Sequence, residues 1–230
     1  MPVGATVCDI GCDHGFVAIY LVEKKISPGV IAMDINEGPL QRAKEHIESM
    51  SLSTYIDTRL SDGLEKLEAG EAECMVAAGM GGRLIGKILS DCPEKRKSLR
   101  YLVLQPQSEL SFVRSFLREQ GFVILREDMV FEDGKFYPMM LAEAVGEKQR
   151  TDSGARAAYT ESLEDEFGPC LIGGRHPVLV KYLDWWEEQQ KKILAAVSAY
   201  PDRRAQVEEE LTRISDVRKL MEERDREERV

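Results

Sequence analysis

Acids and glycines alternate in Asp9-Ile10-Gly11-Cys12-Asp13-His14-Gly15, where an apolar run from Val7 breaks into a turn. Glycine lets backbone approach a ligand closely, because no side chain intervenes. A dinucleotide fingerprint would read Gly-x-Gly-x-x-Gly, its backbone N–H groups facing a pyrophosphate. Here Asp13 stands in the place of the middle glycine. Its carboxylate repels a pyrophosphate yet suits a ligand that carries an ammonium and a sulfonium. Electrostatics thus favours S-adenosylmethionine over NAD. A plainer role for Asp9 and Asp13, capping and bracing the loop, stays open. His14 reads either as a proton shuttle or as a structural histidine of the turn.

Asp34 closes a second apolar run, Val30-Ile31-Ala32-Met33, about twenty residues on. An acid there accepts two hydrogen bonds from a ribose diol, and its charge disfavours a 2′-phosphate. Asp62-Gly63 follows a third run, Tyr55 to Leu60, where the amino group of an adenine can be held; an ordinary Asp-Gly turn is the other reading. A fourth run, Glu73 to Ala78, enters Gly79-Met80-Gly81-Gly82. Glycines so dense are costly in unfolded-chain entropy, so a ligand is expected against that backbone, with a positive φ at Gly81. A fifth run, Tyr101 to Leu104, opens into Gln105-Pro106-Gln107, whose amides donate and accept without charge. The expected donor pocket is Asp9, Gly11, Asp13, His14, Asp34, Asp62, Gly63, Gly79, Met80 and Gly81. Gly82 and Gln107 are expected to face an acceptor.

Strands interleaved with helices, the first helix over about Phe16 to Glu23, make an α/β chain with a doubly wound, Rossmann-like sheet. After the fifth strand the pattern predicts a helix over Glu109 to Glu119 and a strand over Phe122 to Met129. A turn at Glu132-Asp133-Gly134-Lys135 then leads into Phe136 to Val145, an antiparallel pair that closes the sheet. The polar, patternless stretch 147–156 separates a domain over 1–150 from one over 151–230. In the second, Leu179, Leu183, Trp186, Ile193 and Val197 recur at helical spacing, as do Val207, Leu211, Ile214, Val217 and Met221. Pro201-Asp202 between them starts a new helix, so the pair forms an antiparallel coiled-coil hairpin. Trp185 and Trp186 are expected to pack within it, with base-stacking platforms as the other reading.

Asp9 through His14, Ala78 through Gly82, Leu104-Gln105-Pro106 and Gly168-Pro169 together resemble the bacterial tRNA (adenine(22)-N(1))-methyltransferase family, TrmK. The resemblance covers nearly the whole chain. It implies a class I methyltransferase domain, a C-terminal helical coiled-coil domain, S-adenosylmethionine as donor and methylation of N1 of one adenine in the D-arm region of tRNA. The chain departs from the family pattern by reaching its first strand after Met1 to Thr6, without the usual preceding helical segment, which leaves open what covers the cofactor on that side. Gln107 replaces a usual Asn, and Cys8 and Cys12 replace small residues. Adenine N1 has an in-plane lone pair that is unprotonated near neutral pH, so transfer rests on positioning and desolvation. For such an acceptor the resemblance implies that Gln105 reads the adenine edge and that Asp13, or backbone carbonyls of the glycine loop, stabilises the developing positive charge. That atom is committed to Watson–Crick pairing, so the base must be unpaired or flipped out. The fourth strand lacks an Asp/Asn-Pro-Pro-aromatic sequence, which speaks against an exocyclic amine as acceptor.

The 230 residues, 43% of them hydrophobic, suffice for one sizeable domain and a smaller appendage. No apolar run has membrane-spanning length and no signal pattern precedes the first strand, so a soluble, cytoplasmic chain is expected. It is read as a monomer, with a dimer through the coiled coil as the alternative. Five cysteines without a Cys-x-x-Cys pair fit a reduced compartment and no metal site. The net charge of −10 divides evenly between 1–150 and 151–230, so phosphate contacts must come from local patches. Arg83 and Lys87, four apart on the helix after the glycine cluster, are the best placed, with Arg114 and Arg118 as a second pair. Lys95-Arg96-Lys97 reads as a solvated loop at the opposite end of the sheet. The acidic surface also admits a methyltransferase for a small molecule or protein, or a non-catalytic S-adenosylmethionine-binding docking module.

Overall fold

The computed structural model describes residues 1–145, 158–197 and 200–227; the polar boundary expected at 147–156 lies outside the described residues. The chain divides into two compact units, Met1–Arg126 with Met139–Thr151, and Glu127–Pro138 with Asp152–Val230. The first carries β1 (Val7–Ile10), α1 (Phe16–Glu23), β2 (Val30–Asp34), α2 (Glu37–Ser49), β3 (Ile56–Leu60), β4 (Cys74–Gly81), α3 (Gly82–Asp91), α4 (Pro93–Ser98), β5 (Tyr101–Ser108) and α5 (Leu110–Glu119). β6 (Phe122–Glu132) and β7 (Lys135–Ala144) follow and complete a seven-stranded sheet in the order β3-β2-β1-β4-β5-β7-β6. β1 to β5 are parallel, and β7 runs antiparallel to β5. Asp133 (φ 47°) and Gly134 (φ 76°) form the two-residue turn between β6 and β7, both in the left-handed region that such hairpins require.

Side chains of successive strand residues point to opposite faces, and the sequence fills both with apolar groups. Cys8, Ile10, Met33, Met75 and Leu104 pack with Ile85, Leu89, Val113 and Leu117 of α3 and α5. Val7, Val30, Ala32 and Val76 pack with Ala18, Ile19, Ala43 and Ile47 of α1 and α2. Each Val, Leu, Ile or Met side chain among them contributes about 1.5–3 kcal/mol when fully buried. Two glycines bring α3 unusually close to its neighbours. A Cβ on Gly82 would lie 2.6 Å from the Ser108 carbonyl oxygen and 2.7 Å from Val113 Cγ2, and one on Gly86 would lie 2.7 Å from the Phe112 ring.

Both central strands outrun their apolar cores. β4 continues through Gly81 and β5 through Ser108, with register shifts between Ala78, Met80 and Gly81. The glycines end the hydrophobic pattern without ending the pairing, which is where bulges occur. Pro106 is tolerated because β7 pairs only with Tyr101–Leu104, so β5 has an open flank beyond that point.

In the second unit, α8 (Pro177–Ala196) and α9 (Pro201–Glu227) are the two long helices that the spacing predicts. Leu179, Leu183, Val207, Ile214, Val217 and Met221 are buried, and Trp186 is partly so. α6 (Ala158–Phe167) and α7 (Pro169–Gly173) join the same core through Leu163, Phe167, Leu171 and Ile172, as do Met129 and Phe136. The unit is therefore more than a two-helix hairpin. The apolar series that reveals α8 and α9 begins at Leu179 and does not extend back to α6 and α7. Glu127 accepts hydrogen bonds from the Cys170 and Leu171 N–H groups at the start of α7, at 2.9 and 3.4 Å. Trp186 packs against Tyr182 and Phe167, as expected, whereas Trp185 is half exposed beside Phe136.

Candidate active site

The carboxyl ends of β1 to β5 meet where the strand order reverses, between β1 and β4. Ligands of open α/β sheets bind at such switch points. Backbone hydrogen bonds tie the turns together: Gly11 and Cys12 N–H donate to the Met33 carbonyl at 2.8 and 3.0 Å, and Ser61 N–H donates to that of Asp34 at 2.9 Å. Buried Asp34 adds its side chain, Oδ1 accepting from Asn36 N–H at 2.8 Å and Oδ2 from Asp13 N–H at 3.3 Å. Each carboxylate oxygen keeps a further lone pair for a ribose hydroxyl.

Asp9 and Asp13 differ sharply. Asp9 is buried, and among the described residues its Oδ2 is the buried side-chain oxygen without a hydrogen-bond partner. Burial pushes its carboxyl up to about 7; the Ala18 N–H works against that shift and the charge of Asp34 adds to it. Asp13 adopts a left-handed conformation (φ 47°) that turns its side chain outward, 65% exposed, with Oδ1 3.7 Å from both His14 Nε2 and Arg42 Nη2. The inward-facing acid is thus Asp9, and Asp13 lies on the rim. His14 stacks on Phe16 and His46, with ring centroids 5.5 and 5.7 Å apart, and its carbonyl is 3.0 Å from His46 Nδ1.

The glycines fit a close ligand. A Cβ on Gly11 (φ 70°) would lie 2.3 Å from Met80 Cε, so the Met80 side chain runs over the turn. Gly79 (φ 78°) donates its N–H to Gln105 Oε1 at 2.9 Å and stands beside Gln107 Nε2. Gly81 has φ −66°, so the positive φ expected there belongs to Gly79, at the bulge. Gly82, expected to face an acceptor, is buried against β5 and α5. Asp62 is exposed after β3, and a Cβ on Gly63 would lie 2.9 Å from Ile88.

The basic residues are less available than their spacing implies. Arg83 bonds to Glu109 and lies over Phe112, and Lys87 Nζ is 2.5 Å from Asp91 Oδ2. Arg114 is buried, because α5 turns that face toward the core, and so it is no surface partner of Arg118. Lys95-Arg96-Lys97 lies in α4 instead of a loop; Lys95 donates to the Leu64 and Glu65 carbonyls and Arg96 to that of Leu89. These bonds tie the run to its own unit. Two residues that spacing does not reveal also flank the site. Ile35, 58% exposed after Asp34, offers an apolar surface beside the strand ends, and its position directly after the acid was the available signal. Glu109 has no sequence signal at all, since its partner Arg83 is 26 residues away.

Cys8, Cys12 and Cys74 are free and buried; burial pushes Cys12 and Cys74 up to about 12 and Cys8 higher still, so none is a ready nucleophile. Among the described residues no group of three or more His, Cys, Asp or Glu is placed to hold a metal ion, and no helix is long and apolar enough to cross a membrane.

A glycine turn with an unmet acid, a second acid at the next strand and an acid-glycine turn at the third, on this strand order, define a class I methyltransferase domain. The family model for a methyltransferase domain accordingly matches residues 1–140. The chain is 32% identical to the tRNA (adenine(22)-N(1))-methyltransferase of Bacillus subtilis strain 168, over 97% of this chain and 91% of that protein. The chain belongs to the tRNA (adenine(22)-N(1))-methyltransferase family. Its fold matches the crystal structure of the B. subtilis m1A22 tRNA methyltransferase TrmK with TM-score 0.74 and 30% identity, covering 97% of this chain and 93% of that one. Sp1610 of Streptococcus pneumoniae, solved in complex with S-adenosyl-L-methionine, matches with TM-score 0.78 and 30% identity over 94% of this chain and 93% of that one.

Proposed function

We propose that this protein methylates N1 of adenine 22 in tRNA, with S-adenosylmethionine as donor. The observation that carries the reading is a donor cradle joined to two uncharged amides: Gly79 N–H holds Gln105 by its carbonyl oxygen, and Gln107 Nε2 stands beside the same glycine. Adenine N1 needs no base to become nucleophilic, so neutral amides suffice to orient it. S-adenosylmethionine supplies an electrophilic methyl on a sulfonium when bound. Asp9, Gly11, Asp34, Asp62, Gly63 and Gly79 would hold it, with Met80 and the Gly81 backbone covering it and Ile35 beside the purine. Asp13 and His14 form the outer rim, where the Asp13 carboxylate offsets positive charge as the adenine ring becomes cationic. Gln105 and Gln107 would position the acceptor base, with Arg83 and Lys87 at its entrance and Gly82 keeping α3 close.

Residues 1–150 serve donor binding in this reading, and 151–230 grip the folded RNA. A monomer acting in the cytoplasm, where tRNA is modified, is part of the same reading. Mass-spectrometric nucleoside mapping of tRNA incubated with protein and donor is the test. N1-methyladenosine at position 22 is the expected product; methylated small molecules or proteins with unmodified tRNA would overturn the reading.

A further inference from the structure

Arg83 and Lys87 differ in a way that spacing alone conceals. The Arg83 guanidinium lies 4.0 Å from the Phe112 ring centroid, yet its side chain remains 67% exposed. Phe112 can lie against α3 because residue 86 is glycine; a Cβ there would lie 2.7 Å from the ring. Glu109 fixes the guanidinium from the side, Oε1 accepting from Arg83 Nε at 2.9 Å while Oε2 accepts from the Arg83 backbone N–H at 3.1 Å. To do so Glu109 takes a left-handed conformation, φ 54°, which is uncommon for a residue with a side chain. The assembly adjoins the rim directly, since Gly81 approaches Ser108 and Gly82 lies against the Ser108 and Glu109 carbonyls.

A phosphate clamp needs net positive charge and open donor edges. Arg83 has neither in full, because Glu109 neutralises it and occupies Nε. What stays open, besides Nη1 and Nη2, is the face of the guanidinium turned away from the Phe112 ring, whose centroid is 4.0 Å from Cζ. Flat guanidinium and aromatic surfaces stack on unstacked bases. Methylation at N1 requires such a base, since extruding the target costs its own stacking and that of its neighbour.

We infer that Arg83, held flat by Phe112 and Glu109, is a stacking platform for the nucleobase next to the methylated adenine and not a phosphate contact. The inference rests on the proposed tRNA reading. Stacking depends on the plane and not on the charge, so Arg83→Lys separates the two roles. Arg83→Lys and Phe112→Leu are each expected to lower kcat/KM for tRNA by roughly tenfold, with S-adenosylmethionine affinity unchanged in both and melting temperature unchanged in Arg83→Lys. On tRNA with an abasic site next to the target, parent and Arg83→Lys should become equally poor. Parent-like kcat/KM for Arg83→Lys on intact tRNA, or an undiminished difference between the two proteins on abasic tRNA, would overturn the platform while leaving the tRNA reading intact. No N1-methyladenosine from the parent itself would overturn both.

Discussion

Asp9 illustrates how burial decides between two acids of the same motif. Its carboxyl is raised to about 7 chiefly by desolvation, whereas an unfolded aspartate titrates near 4. Between these values the folded state holds a proton that the unfolded chain has lost, so stability falls as pH rises from about 4 to about 7 and is level above. The ceiling on that loss is about 4 kcal/mol, at about 1.4 kcal/mol per unit. Asp9→Asn should flatten the profile in urea unfolding measured across this range; an unchanged slope would assign the pH dependence to another group. Asp34→Ala should weaken donor binding by about 1.5–3 kcal/mol, as expected for a charge-assisted hydrogen bond, and should also loosen the Asp13 and Asn36 turns. Calorimetry checks it, and parent-like affinity in a folded variant would remove Asp34 from the pocket. The acids at the strand ends were readable because spacing alone locates them. Which one faces inward was not, since that depends on the left-handed turn at Asp13.

At the scale of elements, the first five strands were legible from apolar runs ended by acids, glycines or amides, and the hairpin from its Asp-Gly turn. The extension of β4 and β5 was not, because hydrogen bonding carries the ladder past the point where the hydrophobic signal stops. That difference changes which glycine matters. Gly79→Val places a β-branched residue at φ 78° beside Gln107 and should abolish turnover. Gly81→Ala keeps an ordinary φ and asks only that the Ser108 hydroxyl, 3.2 Å from the new Cβ, give way. It should retain most activity. Methyl-transfer assays on the two variants check the contrast, and equal loss in both would show that the bulge does not set the site's geometry. α6 and α7 escaped sequence reading for a different reason, lying before the apolar series that starts at Leu179, and Glu109 because its partner is distant in the chain.

Taken as one molecule, the chain sets a net charge of −10 against a polyanionic substrate. Arg83, Lys87, Arg59 and Arg100 each have acidic partners, which weakens the pull of these four on phosphates. If only two or three phosphates are contacted, tRNA affinity should fall by roughly 10- to 50-fold between 50 and 200 mM salt. Fluorescence anisotropy across that range is the measurement; a loss above roughly a thousandfold would require many more phosphate contacts. The strand order has a consequence for how the chain is made. β1 pairs with β2 on one side and with β4 on the other, although β4 begins only at Cys74. While the ribosome is still synthesising the intervening residues, a strand that ends up wholly buried, Val7–Ile10, presents one bare edge to the cell. The nascent chain is therefore most prone to misassembly before Ala77 emerges, because the apolar stretch Cys74–Ala77 of β4, just ahead of the glycines, is what closes that edge.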